Sequence, residues 1–289
     1  MISQLAPRGS GDRLAGTGAT ALRSMPAPAV PVGSMGLPPF DGRVRNRLLR
    51  GLPAEDMALV RRHLELVSLQ PRESLFKPGA SIRYVYFPET AVVSLLSAVG
   101  NATVEVGTAG SEGMAGLPAF LADDTSSLRA FAQIPGVAGR MDVGTFTLLA
   151  APPGPLHGIL LRYAQAFLMQ VAQTAACNAA HLVEERCARW LLMTRDRVDG
   201  DELQLTPDFL AFMLGVRRTG VTAAMSALRQ AGLVDYAGGR VTVLDRRGLE
   251  GASCECYRAV RAHFERLLPP AADPRVDDLA PSTARDPSA

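Results

Sequence analysis

The spacing of hydrophobic residues divides the chain into a short helical start, a β-rich middle, a long helical stretch and a compact helix–helix–hairpin end. Order is expected from about Arg45. Behind Pro53, Met57, Val60 and Leu64 recur on one face, with Glu55 and Asp56 in a first turn where the helix dipole favours negative charge. Between 69 and 147 the texture changes. Tyr84 to Phe87, Val92 to Leu96 and Thr103 to Val106 are short β-rich runs, separated by Pro78-Gly79, Gly100-Asn101 and the segment from Gly107 to Gly113. That rhythm predicts a small barrel or jelly roll. After Pro152-Pro153-Gly154-Pro155 a helical stretch runs to about Val198, long enough for one helix or two, with Asn178 or nearby alanine pairs marking a bend. Leu160, Tyr163, Phe167, Val171, Thr174 and His181 fall near one seam. The seam is too apolar for an exposed single helix, so self-association is expected ahead of an intramolecular groove.

The last third carries the sharpest pattern. Thr206 is suited to cap a helix, with Pro207 at its first position and Asp208 behind it. Leu210, Met213 and Leu214 supply an inner face, and Gly215 permits a sharp turn. A second helix is predicted from about Arg217 to Ala231, with Val221, Met225 and Leu228 pointing inward. Its outer face carries Arg217, Arg218, Thr219, Thr222, Ser226 and Arg229, with no acidic residue from 217 to 230. Gly232 stops the helix. Leu233 to Tyr236 and Arg240 to Leu244 then alternate around Gly238-Gly239, a two-residue hairpin signal. Helix, glycine turn, basic-faced helix and hairpin make a winged helix-turn-helix. Such a helix fits the major groove, where arginine pairs bidentately with guanine. The competing reading is a DNA-blind winged-helix interaction module, which would have the Arg217–Arg229 face packed.

Leu205 to Leu228, LTPDFLAFMLGVRRTGVTAAMSAL, resembles the DNA-binding motif of the Crp/Fnr superfamily of bacterial regulators. Segments GSEGMAGLPAFL and RVTVLDRRGLEGASCECY are similar to a subgroup whose effector is generally unassigned. The resemblance covers roughly residues 45 to 268. It implies an α+β chain: an N-terminal cyclic-nucleotide-binding-like β jelly roll, a long dimerisation helix and a C-terminal winged helix-turn-helix. The expected divisions are a disordered tail over 1–40, a jelly-roll sensor domain over 41–153, the dimerisation helix region over 154–198, the DNA-binding domain over 199–268 and a second disordered tail over 269–289. Double-stranded DNA and a second copy of the chain are the implied partners, and RNA polymerase is a further candidate.

The carry-over of family residues is partial. Arg218 matches the base-reading arginine, but Thr219 replaces the glutamate after it and Ala223 a second arginine. Arg217 stands where a small hydroxyl residue often touches phosphate. Arg240, after the wing turn, is suited to a phosphate. Cyclic-nucleotide binders hold the ribose with a glutamate where this chain has Met114, and Arg129 is displaced from the phosphate-neutralising position. A buried cyclic phosphate without a placed cation is costly. Cyclic AMP is therefore disfavoured, the effector is unassigned, and Arg129 is its one weak candidate contact.

Composition adds little beyond this. Hydrophobic content of 47% and a net charge of +2 describe an ordinary globular chain. All basic residues but Lys77 are arginine. Residues 1–40 hold six prolines and six glycines, too few core-formers to offset chain entropy, and Met1, Met25 and Met35 are all candidate translation starts. Four cysteines, Cys177, Cys187, Cys254 and Cys256, form no disulfide framework. Cys254 and Cys256, if on one helix, diverge by about 200° and cannot easily grip one ion. They read as buried thiols; His63, His157, His181 and His263 are scattered, and no metal or cofactor is expected. Neither G-x-S-x-G nor G-x-x-x-x-G-K-[ST] occurs, so no catalytic residues are named and an enzyme is not expected. No apolar run fits a signal peptide or membrane span, which makes cytoplasm the expected compartment.

Overall fold

The computed structural model describes residues 43–100 and 102–270, so most of both expected tails lies outside the described residues. Two short helices open the chain: α1 (Arg47–Arg50), whose first turn is capped by the Asn46 side chain, and α2 (Ala54–Arg61), which starts behind Pro53. Seven strands follow: β1 (Glu65–Leu69), β2 (Ser74–Phe76), β3 (Tyr84–Pro88), β4 (Val92–Val99), β5 (Ala102–Ala109), β6 (Arg129–Ile134) and β7 (Gly136–Asp142). A short helix, α3 (Leu117–Phe120), sits between β5 and β6. The strands form two antiparallel sheets, β1-β7-β3 and β2-β6-β4-β5. Both faces of β4 are covered, since Val92 to Leu96 are all buried. Phe87, Val93, Ala130, Ala132, Ala138 and Met141 fill the space between the sheets, while Leu96 and Phe131 face outward into a second core.

Asp142 caps α4 (Val143–Leu149) by accepting from Gly144 N at 2.9 Å, and Pro155 then opens α5 (Pro155–Ala180). The long helical stretch is two helices. His181 is extended (φ −109°, ψ 152°), and α6 (Val183–Arg195) begins past it with Glu185 accepting from Leu182 N at 2.9 Å. The seam read from the sequence needs correcting. Leu160, Tyr163 and Thr174 are buried within the chain, and Phe167 packs on the core of the roll. The opposite face of α5 is the open one. Leu161, Gln165, Leu168, Ala172, Ala175 and Ala179 are all exposed, at alternating steps of four and three residues.

Strand β8 (Glu202–Gln204) leads into α7 (Pro207–Leu214) and α8 (Arg218–Gln230). Strands β9 (Val234–Ala237) and β10 (Arg240–Val243) follow, and β8 pairs with β10 to make a three-stranded sheet, order β8-β10-β9. Helices α9 (Arg246–Ala252) and α10 (Cys256–Leu267) end the described chain, with α10 packed along α5. No helix among the described residues is long and apolar enough to cross a membrane.

Candidate nucleic-acid interface

Thr206 caps α7 as its sequence predicts, accepting from Phe209 N at 3.2 Å. Gly215 takes φ +63°, a left-handed conformation that a side chain resists. A Cβ there would also stand 3.2 Å from Val104. The turn sends the chain into α8, whose Val221, Ala224, Met225 and Leu228 are buried with Leu210, Met213 and Leu214 of α7 and Leu191 and Leu192 of α6. Arg186 ties this packing down by donating to the Leu214 carbonyl. Gly238 and Gly239 both have positive φ, at 59° and 78°, which gives the tight wing between β9 and β10.

With one face of α8 buried, the other is left to solvent. Arg217, Arg218, Thr219, Thr222, Ser226 and Arg229 are all exposed, and so is Arg240 at the start of β10. The basic charge is partly answered within the surface. Arg218 lies 3.4 Å from Asp208 and Arg229 3.0 Å from Asp235, both solvent-exposed pairs. Pairs of this kind are worth under about 1 kcal/mol, so a phosphate or base edge displaces the carboxylate readily. Thr222 spends its hydroxyl on the Arg218 carbonyl at 3.0 Å, and Ser226 accepts from Gln230 at 3.2 Å. Arg217 just before α8, Arg218 and Arg229 within it, and Arg240 are therefore the strongest donors on this surface.

Residues 185–252 match the model of the Crp-like helix-turn-helix domain. The chain carries that domain on the Crp/Fnr fold. A helix-turn-helix of this type makes it a DNA-binding transcription regulator. No curated protein matches the chain in sequence. Among solved structures it is similar to FixK2 from Bradyrhizobium japonicum, with 18% identity, a TM-score of 0.57, and coverage of 66% of this chain and 98% of that one. It is also similar to a putative regulator of the crp/fnr family from Eubacterium rectale, with 14% identity, a TM-score of 0.57, and coverage of 71% and 96%. A third, the c-di-GMP responsive global regulator CLP of Xanthomonas campestris, has 19% identity, a TM-score of 0.53, and coverage of 66% and 99%.

The effector position is a different matter. Met114 is buried in the roll's core, and the hydroxyl of Tyr163 from α5 donates to its carbonyl at 2.8 Å. Next to it, a Cβ on Gly113 would lie 2.5 Å from the Tyr163 ring, so helix and loop are in direct contact there. Arg129 is exposed and sits over the Phe131 ring at 5.9 Å. Phe131 belongs to the core outside the roll, so Arg129 is turned away from the space between the sheets.

Sequence reasoning missed the seam between roll and DNA-binding domain. Phe131 of β6 meets Phe209 of α7 edge to face, with ring centres 6.4 Å apart. Trp190 of α6 donates to the buried Glu105 carboxylate at 2.6 Å, and Gln133 donates to Thr194 at 3.2 Å. Arg197 pairs with Glu112 at 2.8 Å, both nearly buried. Burial pushes the Glu105 carboxyl up to about 7, against the pull of hydrogen bonds from Ser94 and Trp190. Sequence offered no signal for these long-range pairs.

The cysteines also need correcting. Cys254 lies in the turn between α9 and α10, and only Cys256 is helical, so the two do not diverge around one helix. Cys254 meets Cys177, at 3.5 Å between sulfurs, and Cys256 meets His181. The fourth cysteine, Cys187, stands apart in the core against Met225.

Proposed function

We propose that this chain regulates transcription by binding a two-fold symmetric DNA site as a homodimer. The start of α8 reads base edges and the wing holds phosphate. The observation that carries this is the exposure of all seven basic and hydroxyl positions at α8 and the start of β10. The DNA-blind alternative needs that face packed, and it is not.

The division of labour follows the sequence: residues 41–153 for sensing, 154–198 for pairing and 199–268 for DNA. Pairing falls to the open stripe of α5, whose heptad-like steps and small alanines suit close helix contact. Closed pairing of this kind makes a two-fold protein, and a two-fold protein reads a palindromic site. Cyclic AMP is disfavoured as an effector, and the effector stays unassigned. This is a binding function without a catalytic residue or a redox cofactor. It belongs in the compartment that holds the DNA, where RNA polymerase is the natural neighbour of a promoter-bound dimer.

The test is selection of bound sequences from a random DNA pool, followed by native mass measurement of the complex. The expected result is a palindromic site occupied by two chains. Enrichment of no sequence, or one chain per site, overturns the reading.

A further inference from the structure

Four metal-binding side chains from three parts of the chain converge where α5 ends. The sulfurs of Cys177, Cys254 and Cys256 and a ring nitrogen of His181 all lie within 4.8 Å of one another. Cys177 lies in the last turn of α5, and His181 caps the helix end with its N–H still donating to the Cys177 carbonyl at 3.0 Å. The break between α9 and α10 brings Cys254 in from the other side, beside Cys256 at the first position of α10. All three sulfurs are buried.

We propose that Cys177, His181, Cys254 and Cys256 form a structural zinc site. Two of the separations match those a tetrahedral ion imposes, and the others lie within 4.8 Å. With Zn–S of about 2.3 Å and Zn–N of about 2.0–2.1 Å, neighbouring sulfurs stand about 3.8 Å apart and a sulfur–nitrogen edge is about 3.5 Å. Here the Cys177 and Cys254 sulfurs are 3.5 Å apart, and Cys256 Sγ is 3.5 Å from His181 Nδ1. An iron–sulfur cluster spreads its ligands over several irons, whereas these four converge on one point. Three thiolates and an imidazole form a soft, closed donor set that suits zinc.

Two further observations point the same way. His181 turns Nδ1 towards the sulfurs and Nε2 to Glu255 at 3.3 Å, so a carboxylate fixes the ring's orientation and tautomer from outside the site. Arg186 and Arg189 of α6 are buried, Arg189 donating to Thr174 Oγ1 of α5 at 3.2 Å, less than one turn from Cys177. Arg189 Nε and Nη1 and Arg186 Nε have no hydrogen-bond partner. Buried guanidinium groups left this way are costly, and a centre of three thiolates around Zn²⁺, with net charge −1, offsets that cost.

Zinc here pins the joint between α5 and α6 to the α9–α10 turn. It fixes the angle at which the pairing helix meets the DNA-binding domain.

The test is elemental analysis of untagged, reduced full-length protein after equilibration with zinc and desalting. One zinc per chain is expected. Cys254→Ser and Cys256→Ser should lose it, Cys187→Ser should keep it, and Glu255→Gln should weaken it by about tenfold. Replacement by Co²⁺ should give the intense visible bands and near-ultraviolet thiolate absorption of a tetrahedral thiolate site. Wild-type protein that retains no zinc overturns the proposal, because that measurement does not depend on any variant folding. Iron with inorganic sulfide, or zinc retained in both serine variants, overturns it equally.

Discussion

Trp190 Nε1 donates to Glu105 Oε2 at 2.6 Å, joining α6 to strand β5 of the roll. The bond is buried on both sides and shares Glu105 with Ser94. Trp190 is the only tryptophan in the chain, so its emission reports this seam without background.

Glu105 makes the seam pH-dependent. Its carboxyl is raised from 4.5 to about 7 by burial, so the folded chain holds a proton there that the unfolded chain gives up. Stability is therefore full below about pH 4.5, falls as pH rises towards 7, and is level above. The loss is up to about 3 kcal/mol. Glu89 shifts the same way, again through burial, and adds to the slope. Urea unfolding followed by Trp190 emission should show lower stability at pH 8 than at pH 5.5. Glu105→Gln should flatten part of that difference, and an unchanged slope would show that Glu105 does not carry it.

The α5 surface separates pairing from folding. Leu161 and Leu168 are 52% and 58% exposed, whereas Leu160 is fully buried. Wild-type protein should sediment at twice the chain mass at micromolar concentration. Leu161→Glu combined with Leu168→Glu should give a folded monomer with a near wild-type melting temperature. Leu160→Ala should instead lower stability by about 2–5 kcal/mol. A wild-type monomer, or a dimer indifferent to the double substitution, would rule out pairing through this stripe.

Cyclic AMP and cyclic GMP should give no specific heat in titration calorimetry at millimolar nucleotide. Met114 is buried where the resemblance to cyclic-nucleotide binders calls for a ribose-binding glutamate, Tyr163 closes on the same loop, and Arg129 is exposed over Phe131. A micromolar dissociation constant with enhanced DNA binding would contradict this account of the roll.

Local signals were legible in the sequence and long-range pairings were not. Thr206, Gly215 and the Gly238-Gly239 turn each fix backbone within a few residues, and the helix-turn-helix follows from them. Strands β1, β2, β6 and β7 went unread, because Gly136 to Asp142 carries small and charged residues whose strand state depends on partners such as Glu65 to Leu69. The α5 seam shows the limit of periodicity. It finds an apolar stripe correctly and cannot tell whether the roll or a second chain covers it. The cysteine cluster was missed for a related reason. Cys177 and His181 had helical ligand spacing, but Cys254 joined them only through a helix break at Ser253 that no strong punctuator marks.

Arg218 tests the central claim most directly, through binding of the selected site and a random duplex at three salt concentrations. It is exposed at the first turn of α8, the end that reaches base edges in this docking mode. Arg218→Ala should cost about 1–3 kcal/mol on the selected site and much less on random DNA, so the specificity ratio collapses. Arg240→Ala should weaken both DNAs alike and lower the salt slope by about one unit. Both variants should keep the wild-type melting temperature. If Arg218→Ala weakens both DNAs equally, Arg218 is a phosphate anchor, and α8 does not read bases from its N-terminal end.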